Sequence, residues 1–499
     1  VTTEGPSVGS AEVDLHLPPV PLAAVAVAAG GATRDARGVV VTDAACDSRR
    51  VGPGALFFCV GGSRHDGHTF AGDALEAGAA ALVVERWLPV RAPQVLVPSV
   101  RRAMGPMSAV VFGDPAADLT MLGVTGTNGK TTTTFLLGDI LRHGGRRVAV
   151  IGTTGVHVDG RVDPLGFTTP EAPDLHRLLA RLRHDGVGAV AMEVSSHALA
   201  FDRVGGITYD VAAFTNLSHE HLDLHGSMTS YFEAKASLFT AARSRIGVVN
   251  ADDPWGQRLL GTASVPIRTY GSINPADRAV TQVEAGRDGS SFLFAGLPVR
   301  IRLLGAFNVS NAACALTMAE LAGVPPSVAS AGVERAEPVP GRLEPIDEGQ
   351  GFLVMVDYAH TPDSIQHVLR GARPLSAGKL IVVFGCGGDR DRDKRPQMGR
   401  VAVGEADLAV ITTDNPRSED PAAIIDAVLE GARDATGRWT VEPDRRAAIR
   451  SALRSAEDGD IVVIAGKGHE TVQEAGERRI AFDDRQVARE ELAALLGER

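Results

Sequence analysis

The chain is short of four things, and each shortage excludes something. Cysteine occurs four times (Cys46, Cys59, Cys314, Cys386), scattered and without a C-x-x-C pair. That excludes a disulfide scaffold and suits a reducing compartment, with structural or incidental thiols. Aromatic residues make up 5% of the 499, against 44% hydrophobic overall, so the cores rest on Ala, Val and Leu. Positive charge is not in excess: the formal net charge is −11, and an overall basic footprint for nucleic acid is absent. No apolar run approaches the ~20 residues of a membrane span. The longest early run, Leu22 to Ala29, is mostly alanine and valine and lacks a basic segment before it, so it is not read as a signal peptide. These absences point to a cytoplasmic protein.

Lysine is scarce in a more informative way. Of 50 basic residues only five are lysine: Lys130, Lys235, Lys379, Lys394 and Lys467. Genome base composition explains the bias itself. The survivors are then enriched for places where a compact or deprotonatable amine is required, because arginine does not readily lose its proton.

What is present begins with Gly126-Thr127-Asn128-Gly129-Lys130-Thr131-Thr132. It follows the apolar run Met121 to Val124, which reads as a buried strand, and precedes a helix-like stretch from Thr133 to Leu141. Strand, glycine loop, Lys-Thr and helix make a phosphate cradle for ATP or GTP. Glycines let backbone N–H groups close around a polyphosphate, Lys130 reaches the terminal phosphates, and Thr131 can hold Mg²⁺. The strict pattern wants glycine at 124, where this chain has Val124 and places Gly123 one position early. The competing reading is a chance Gly-Lys-Thr turn at a helix start.

Length suggests three domains. Residues 1–20 are rich in Pro and Gly and read as poorly ordered. Short apolar runs up to Val97 outline a small α/β domain over 1–98, with polar loops at Asp47-Ser48-Arg49 and Gly61 to Gly67 that read equally as ordinary turns. A central block over 99–343 alternates strand-like and helix-like segments, giving a mostly parallel sheet. Its run Ala189 to Val194 ends in Glu193-Val194-Ser195-Ser196-His197, a carboxylate at a strand end two strands from the phosphate loop, well placed for Mg²⁺. His219-Glu220-His221-Leu222-Asp223 invites a zinc reading, but no further ligand with closed-site spacing follows. Lys235 lies in a helical pattern, and Asn308 and Asn311 open another helix, where amides cap or read a base edge. Pro338 to Arg342 reads as a linker. In 344–499 four apolar strands each run into a loop rich in Gly, Asp, Arg or His: Asp357-Tyr358, Gly385 to Arg390, Asp414-Asn415-Pro416-Arg417 and Gly466-Lys467-Gly468-His469-Glu470. That is a doubly wound, Rossmann-like domain with its binding edge at the strand ends. Arg390 and Arg417 can grip a carboxylate bidentately while Glu470 faces an ammonium, which argues for an amino-acid or dicarboxylate site.

Taken in order, these motifs resemble the Mur ligase family over nearly the whole chain: the Gly126–Thr132 loop, Glu193 to His197, Asn216 to Asp223, Ala234-Lys235, Gly305 to Asn311, Gly341-Arg342 and Asp357 to Pro362. The loops at 385–391, 414–417 and 466–470 are similar to the branch that adds diaminopimelate as the third residue of the peptidoglycan stem peptide. The resemblance implies a three-domain α/β ligase using ATP and two Mg²⁺ ions. Gly126 to Thr132, with Lys130, would hold the phosphates. Thr131, Glu193 and His221 would attend Mg²⁺, and Lys235 matches the family's carbamylated lysine, whose carbamate holds a second Mg²⁺. Asn308, Arg342 and Asp357 would contact the nucleotide. Ser48, Ser63, Arg64, His65, Thr168, Thr169, Ser195 and Arg203 would contact the UDP-sugar-peptide, UDP-N-acetylmuramoyl-L-alanyl-D-glutamate. Arg390, Asp414, Asn415, Pro416, Arg417, Gly466 and Glu470 would hold diaminopimelate. Phe167 and Phe201 depart from the Asn and Gln of some relatives. A monomer is expected, with neither nucleic acid nor membrane insertion. Ligation of lysine or another amino acid, a folylpolyglutamate synthetase-like activity and a nucleotide-gated binding protein are the competing functions.

Overall fold

The computed structural model describes residues 17–62 and 65–497, so Ser63, Arg64 and most of the Pro- and Gly-rich start lie outside the described residues. The chain forms two compact units: 1–217 with 229–278 and 314–332, and 218–228 with 279–313 and 333–499.

In the first unit the N-terminal sheet runs in the order Ala32–Arg34, Gln94–Leu96, Ala81–Val84, Ala55–Phe58, Asp43–Ala45. All pairs are parallel except the first. Ala55–Phe58 and Ala81–Val84 are buried at every position, as strands covered on both faces must be. Leu56, Phe58 and Val83 pack with helices Leu22–Val27 and Val100–Val111 in one cluster. Phe57, Leu82 and Val84 pack with Ala71 and Ala74 of helix Ala71–Glu76 in another. The early apolar run is thus helix Leu22–Val27, with Leu22, Val25 and Ala26 in the core.

The central sheet of this unit runs Arg161–Asp163, Gly155–Val158, Val148–Gly152, Ala189–Glu193, Thr120–Thr125, Tyr209–Phe214, Ser244–Asn250, Ile267–Gly271. It is parallel from Val148–Gly152 to Ile267–Gly271, with an antiparallel hairpin at the other edge. The strand carrying Glu193 pairs directly with Thr120–Thr125, so it is the neighbouring strand rather than one two places away; the chain crosses back past Val148–Gly152 to reach it.

In the second unit Arg278–Gly286, Gly289–Phe294 and Leu297–Ile301 form an antiparallel meander that the alternating pattern of the sequence did not suggest. The C-terminal sheet runs Glu344–Ile346, Leu353–Asp357, Ile461–Ala465, Leu380–Phe384, Leu408–Ile411, Arg438–Val441, parallel except at its first edge. Helices Pro362–Ala372, Lys394–Glu405 and Pro421–Ala432 cover one face, and Arg445–Arg454 with Asp484–Gly497 the other. This doubly wound order makes the strands ending before Gly466, Gly385 and Thr412 adjacent, so three loops far apart in sequence share one edge. Among the described residues no helix is long and apolar enough to cross a membrane.

Candidate active site

The phosphate loop leaves the middle of the central sheet and enters helix Lys130–His143. Gly126 (φ 149°) and Gly129 (φ 84°) take backbone conformations that favour glycine. A Cβ on Gly126 would lie 1.9 Å from the Thr215 hydroxyl oxygen. The oddly placed Gly123 belongs to the strand, where a Cβ would meet the Tyr209 ring at 2.8 Å. Val124 likewise lies in the strand, so the loop itself begins at Gly126, after the position that departs from the strict pattern.

Residues just after the neighbouring strand Tyr209–Phe214 brace the loop. Asn216 Oδ1 accepts the Asn128 N–H at 2.9 Å, and the Thr215 hydroxyl donates to the Asn128 carbonyl at 2.7 Å. Thr127 N–H donates to the Asn216 carbonyl at 2.9 Å. Asn216 and Thr215 reach partners some 90 residues away along the chain, which no local pattern announces. Two of the rare lysines converge here. Lys130 Nζ donates to the Gly126 carbonyl at 2.9 Å and the Thr127 carbonyl at 2.7 Å, and Lys235 Nζ reaches the same Gly126 carbonyl at 2.8 Å. Lys235 is 1% exposed and sits 4.7 Å from the Tyr231 ring centroid. Two ammonium groups brought to one carbonyl in a buried setting favour an anionic ligand.

Parallel register places Glu193 opposite Val124, at the level where the loop begins. Its buried carboxylate accepts the Thr131 hydroxyl at 2.9 Å, the Thr153 N–H at 2.9 Å and the Thr153 hydroxyl at 3.3 Å. A Cβ on Gly152 would fall 2.2 Å from Glu193 Oε1, so only glycine leaves room for the carboxylate. Thr131 and Glu193 thus offer a pair of hard oxygen donors. Thr153 also meets the Thr168 hydroxyl at 3.2 Å, and Thr169 donates to the Glu193 carbonyl at 2.9 Å. Ser195 caps helix Ser196–Ala200. Arg203 donates to Glu171, and its guanidinium lies 4.5 Å from the Phe167 ring and 5.8 Å from the Phe201 ring. The two departures from the family pattern therefore flank one arginine. Ser48 opens a short 3-10 turn capped by Asp47, and His65 is exposed beside Phe70.

The other expected residues lie in the second unit. His221 has a left-handed backbone (φ 56°) at the start of Leu222–His225, with Nε2 3.7 Å from Glu220. Among the described residues no group of three or more His, Cys, Asp or Glu gathers to hold a metal, so His219, His221 and Asp223 do not close into a zinc site. Asn308 donates to the Leu304 carbonyl at 2.7 Å and accepts from Asn311 at 2.8 Å, so the paired amides serve each other. Asp357 accepts the Leu343 and Ala359 N–H groups at 2.8 and 2.7 Å; burial nevertheless pushes its carboxyl up, against the nearby Arg342. Arg342 stacks on Tyr358 at 4.7 Å.

At the strand ends of the C-terminal sheet, Asn415 donates to Glu470 at 2.8 Å. Arg417 (φ 50°) donates to the Gly388 carbonyl at 2.8 Å and to Glu474 at 3.1 Å. A Cβ on Gly387 would lie 3.0 Å from Arg417 and 3.9 Å from Arg390, so both arginines border that glycine. Arg390 is exposed. Asp414 backs Gly466, where a Cβ would be 2.5 Å from its carboxylate. Behind Asp414, Arg445 and Asp484 form a fully buried ion pair at 2.6 Å. Burial raises the Glu470 carboxyl above its usual range, and Asp414 adds to the rise while Lys467 opposes it. Glu474 comes from the hairpin Val472–Ala475 and Arg478–Ala481, which has too few apolar residues to be seen in the sequence.

A phosphate cradle on a central parallel sheet, with a separate doubly wound domain edged by Arg, Asn and Glu, defines a nucleotide-dependent enzyme of the α/β class. Family models describe the same layout: the Mur ligase family catalytic domain matches 41–109, the Mur ligase middle domain 124–319, and the Mur ligase glutamate ligase domain 341–468. This chain belongs to the Mur ligase family. It is 45% identical to a protein of Geobacillus thermodenitrificans over 89% of this chain and 93% of that one. It is 44% identical to one of Streptomyces coelicolor over 96% and 97%. Both relatives are named UDP-N-acetylmuramoyl-L-alanyl-D-glutamate–2,6-diaminopimelate ligase. A solved structure of that same ligase matches with a TM-score of 0.68 at 35% identity, covering 92% of this chain and 96% of its own.

Proposed function

We propose that this chain is a cytoplasmic, monomeric ATP-dependent amide ligase that adds diaminopimelate to the D-glutamate side-chain carboxylate of UDP-N-acetylmuramoyl-L-alanyl-D-glutamate. The observation that carries the amino-acid assignment is the strand-end cluster of Asn415, Arg417 and Glu470. An arginine for a carboxylate and a glutamate for an ammonium suit an amino-acid head group. Diaminopimelate has a second such head group, which lysine lacks.

In this reading Lys130 and the N–H groups of 126–132 hold the ATP phosphates. The D-glutamate carboxylate attacks the γ-phosphorus and ADP leaves, forming an acyl phosphate. The diaminopimelate amine then attacks the acyl carbon and phosphate departs. Most of the work is positioning and charge stabilisation. The Thr131 hydroxyl and Glu193 carboxylate, 2.9 Å apart, are the oxygen donors Mg²⁺ prefers, and one carboxylate plus substrate phosphates is its usual protein complement. Bound there, Mg²⁺ would neutralise phosphate charge. His221 is a further candidate ligand, and a carbamate on Lys235 would supply a second Mg²⁺ site. Carbamylation is testable without turnover, as a mass increment of one CO₂ on the peptide carrying Lys235 in bicarbonate. Ser48, His65, Thr168, Thr169, Ser195 and Arg203 would meet the UDP-sugar-peptide, and Asn308, Arg342 and Asp357 the nucleotide.

The test is phosphate release with ATP, Mg²⁺ and the UDP-dipeptide, comparing meso-diaminopimelate, LL-diaminopimelate and L-lysine, with product masses. Turnover only with a diaminopimelate isomer is expected. Turnover with lysine alone would overturn the Arg417 argument, and none with any amino acid would overturn the ligase.

A further inference from the structure

Lys394 opens helix Lys394–Glu405 of the second unit, and Lys467 lies in the loop after strand Ile461–Ala465. Lys394 is half-buried and donates to the His360 carbonyl at 2.9 Å. Lys467 is 0% exposed, a costly place for an ammonium. Its Nζ reaches three acceptors: Asn415 Oδ1 at 3.0 Å, Glu470 Oε2 at 3.2 Å and the Val472 carbonyl at 2.7 Å. An ammonium has three donors and no acceptor, so none is left for a ligand.

These contacts close a ring. Asn415 Nδ2 donates to the same Glu470 Oε2 at 2.8 Å, and Asn415 Oδ1 also accepts the Glu474 N–H at 3.0 Å. With Oδ1 committed to Lys467 and Glu474, the amide can face Glu470 only with its NH₂. Glu470 Oε2 is turned inward by Lys467 and Asn415. Glu470 Oε1 takes no side-chain bond among the described residues, and the side chain is 31% exposed. Through the Val472 carbonyl the same ammonium anchors the hairpin whose Glu474 holds Arg417.

We propose that Lys467 is a positioning residue for the amino-acid substrate: it fixes Asn415 and Glu470 so that one Glu470 oxygen faces outward to receive the substrate ammonium. The inference rests on the amino-acid site proposed above. Lysine suits this place and arginine does not, because a planar fork cannot direct donors to three acceptors around one nitrogen.

Lys467→Met and the milder Lys467→Gln test it, with each substrate varied in turn. For Lys467→Met the KM for diaminopimelate should rise roughly ten- to a hundredfold, the range of a lost charge-assisted hydrogen bond. KM for ATP and for the UDP-dipeptide should stay within about twofold, because the hydrogen bonds of Lys467 go only to residues of the C-terminal loops. Lys467→Gln should show a smaller rise with the same selectivity. In hydrogen exchange, the Glu474 amide should be less protected in Lys467→Met, while amides of 126–132 are unchanged. An unaltered KM for diaminopimelate, a parallel rise in all three KM values, unchanged Glu474 exchange, or failure of both variants to fold would overturn the role. A wild-type enzyme inactive with diaminopimelate would sink the ligase reading instead, and the exchange measurement would still decide whether Lys467 orders this ring.

Discussion

The phosphate loop and the C-terminal loop cluster differ in what holds their charged side chains. At the phosphate loop the framework is backbone: glycines 126 and 129, carbonyls 126 and 127, and the start of helix Lys130–His143. Lys130 and Lys235 there donate to backbone carbonyls of the loop. At the C-terminal edge each charged side chain has a backbone carbonyl and, in addition, partner side chains: Lys467 has Asn415 and Glu470, Arg417 has Glu474, and Arg445 has Asp484. A polyphosphate is the same in every nucleotide enzyme, so a short local motif recognises it. An amino acid differs in where its charges sit, so its site needs groups fixed individually by distant partners.

The largest effect should separate these two kinds of support. Asp484→Asn leaves Arg445 charged, fully buried and without its carboxylate, which costs about 3–5 kcal/mol of stability. Denaturant unfolding checks it, and a loss under about 1 kcal/mol would break the contrast. Lys130→Ala should do the reverse. It should lower kcat roughly 10²–10³-fold, as loss of a transition-state donor does, and leave the unfolding midpoint close to wild type.

Glu470→Gln should have a smaller effect than either, raising KM for diaminopimelate about tenfold by removing the charge opposite an ammonium. The pH dependence sharpens the point. Binding needs the ionised carboxylate, and burial holds the Glu470 pKa above its usual range. As pH falls, KM for diaminopimelate should therefore begin to rise at a higher pH than an exposed glutamate would allow. KM for ATP should not share that limb. The smallest effect is expected for Glu474→Gln. Arg417 keeps its bond to the Gly388 carbonyl, so KM for diaminopimelate should change by only about two- to fivefold.

The sequence by itself determined the phosphate-loop motif and the alternation of apolar strands and glycine-rich loops, and it suggested roles for Lys130, Glu193, Arg417 and Glu470. These are legible because glycine at positive φ, an apolar strand and a helix start are local demands, met by residues a few positions apart. Tertiary structure decided which strands are neighbours. It put Glu193 beside the loop strand, and it brought the loops after Phe384, Ile411 and Ala465 to one edge. It also produced what no local pattern announces: the meander at 278–301, and the edge strand Arg438–Val441 and the hairpin at 472–481, the last two short of continuous apolar runs. The pairing of Lys467 with Asn415 spans 52 residues, and that of Arg445 with Asp484 spans 39. A charged residue in a sequence reads the same whether it will meet water or a buried partner. Only the packed structure removes the water, and with it the choice.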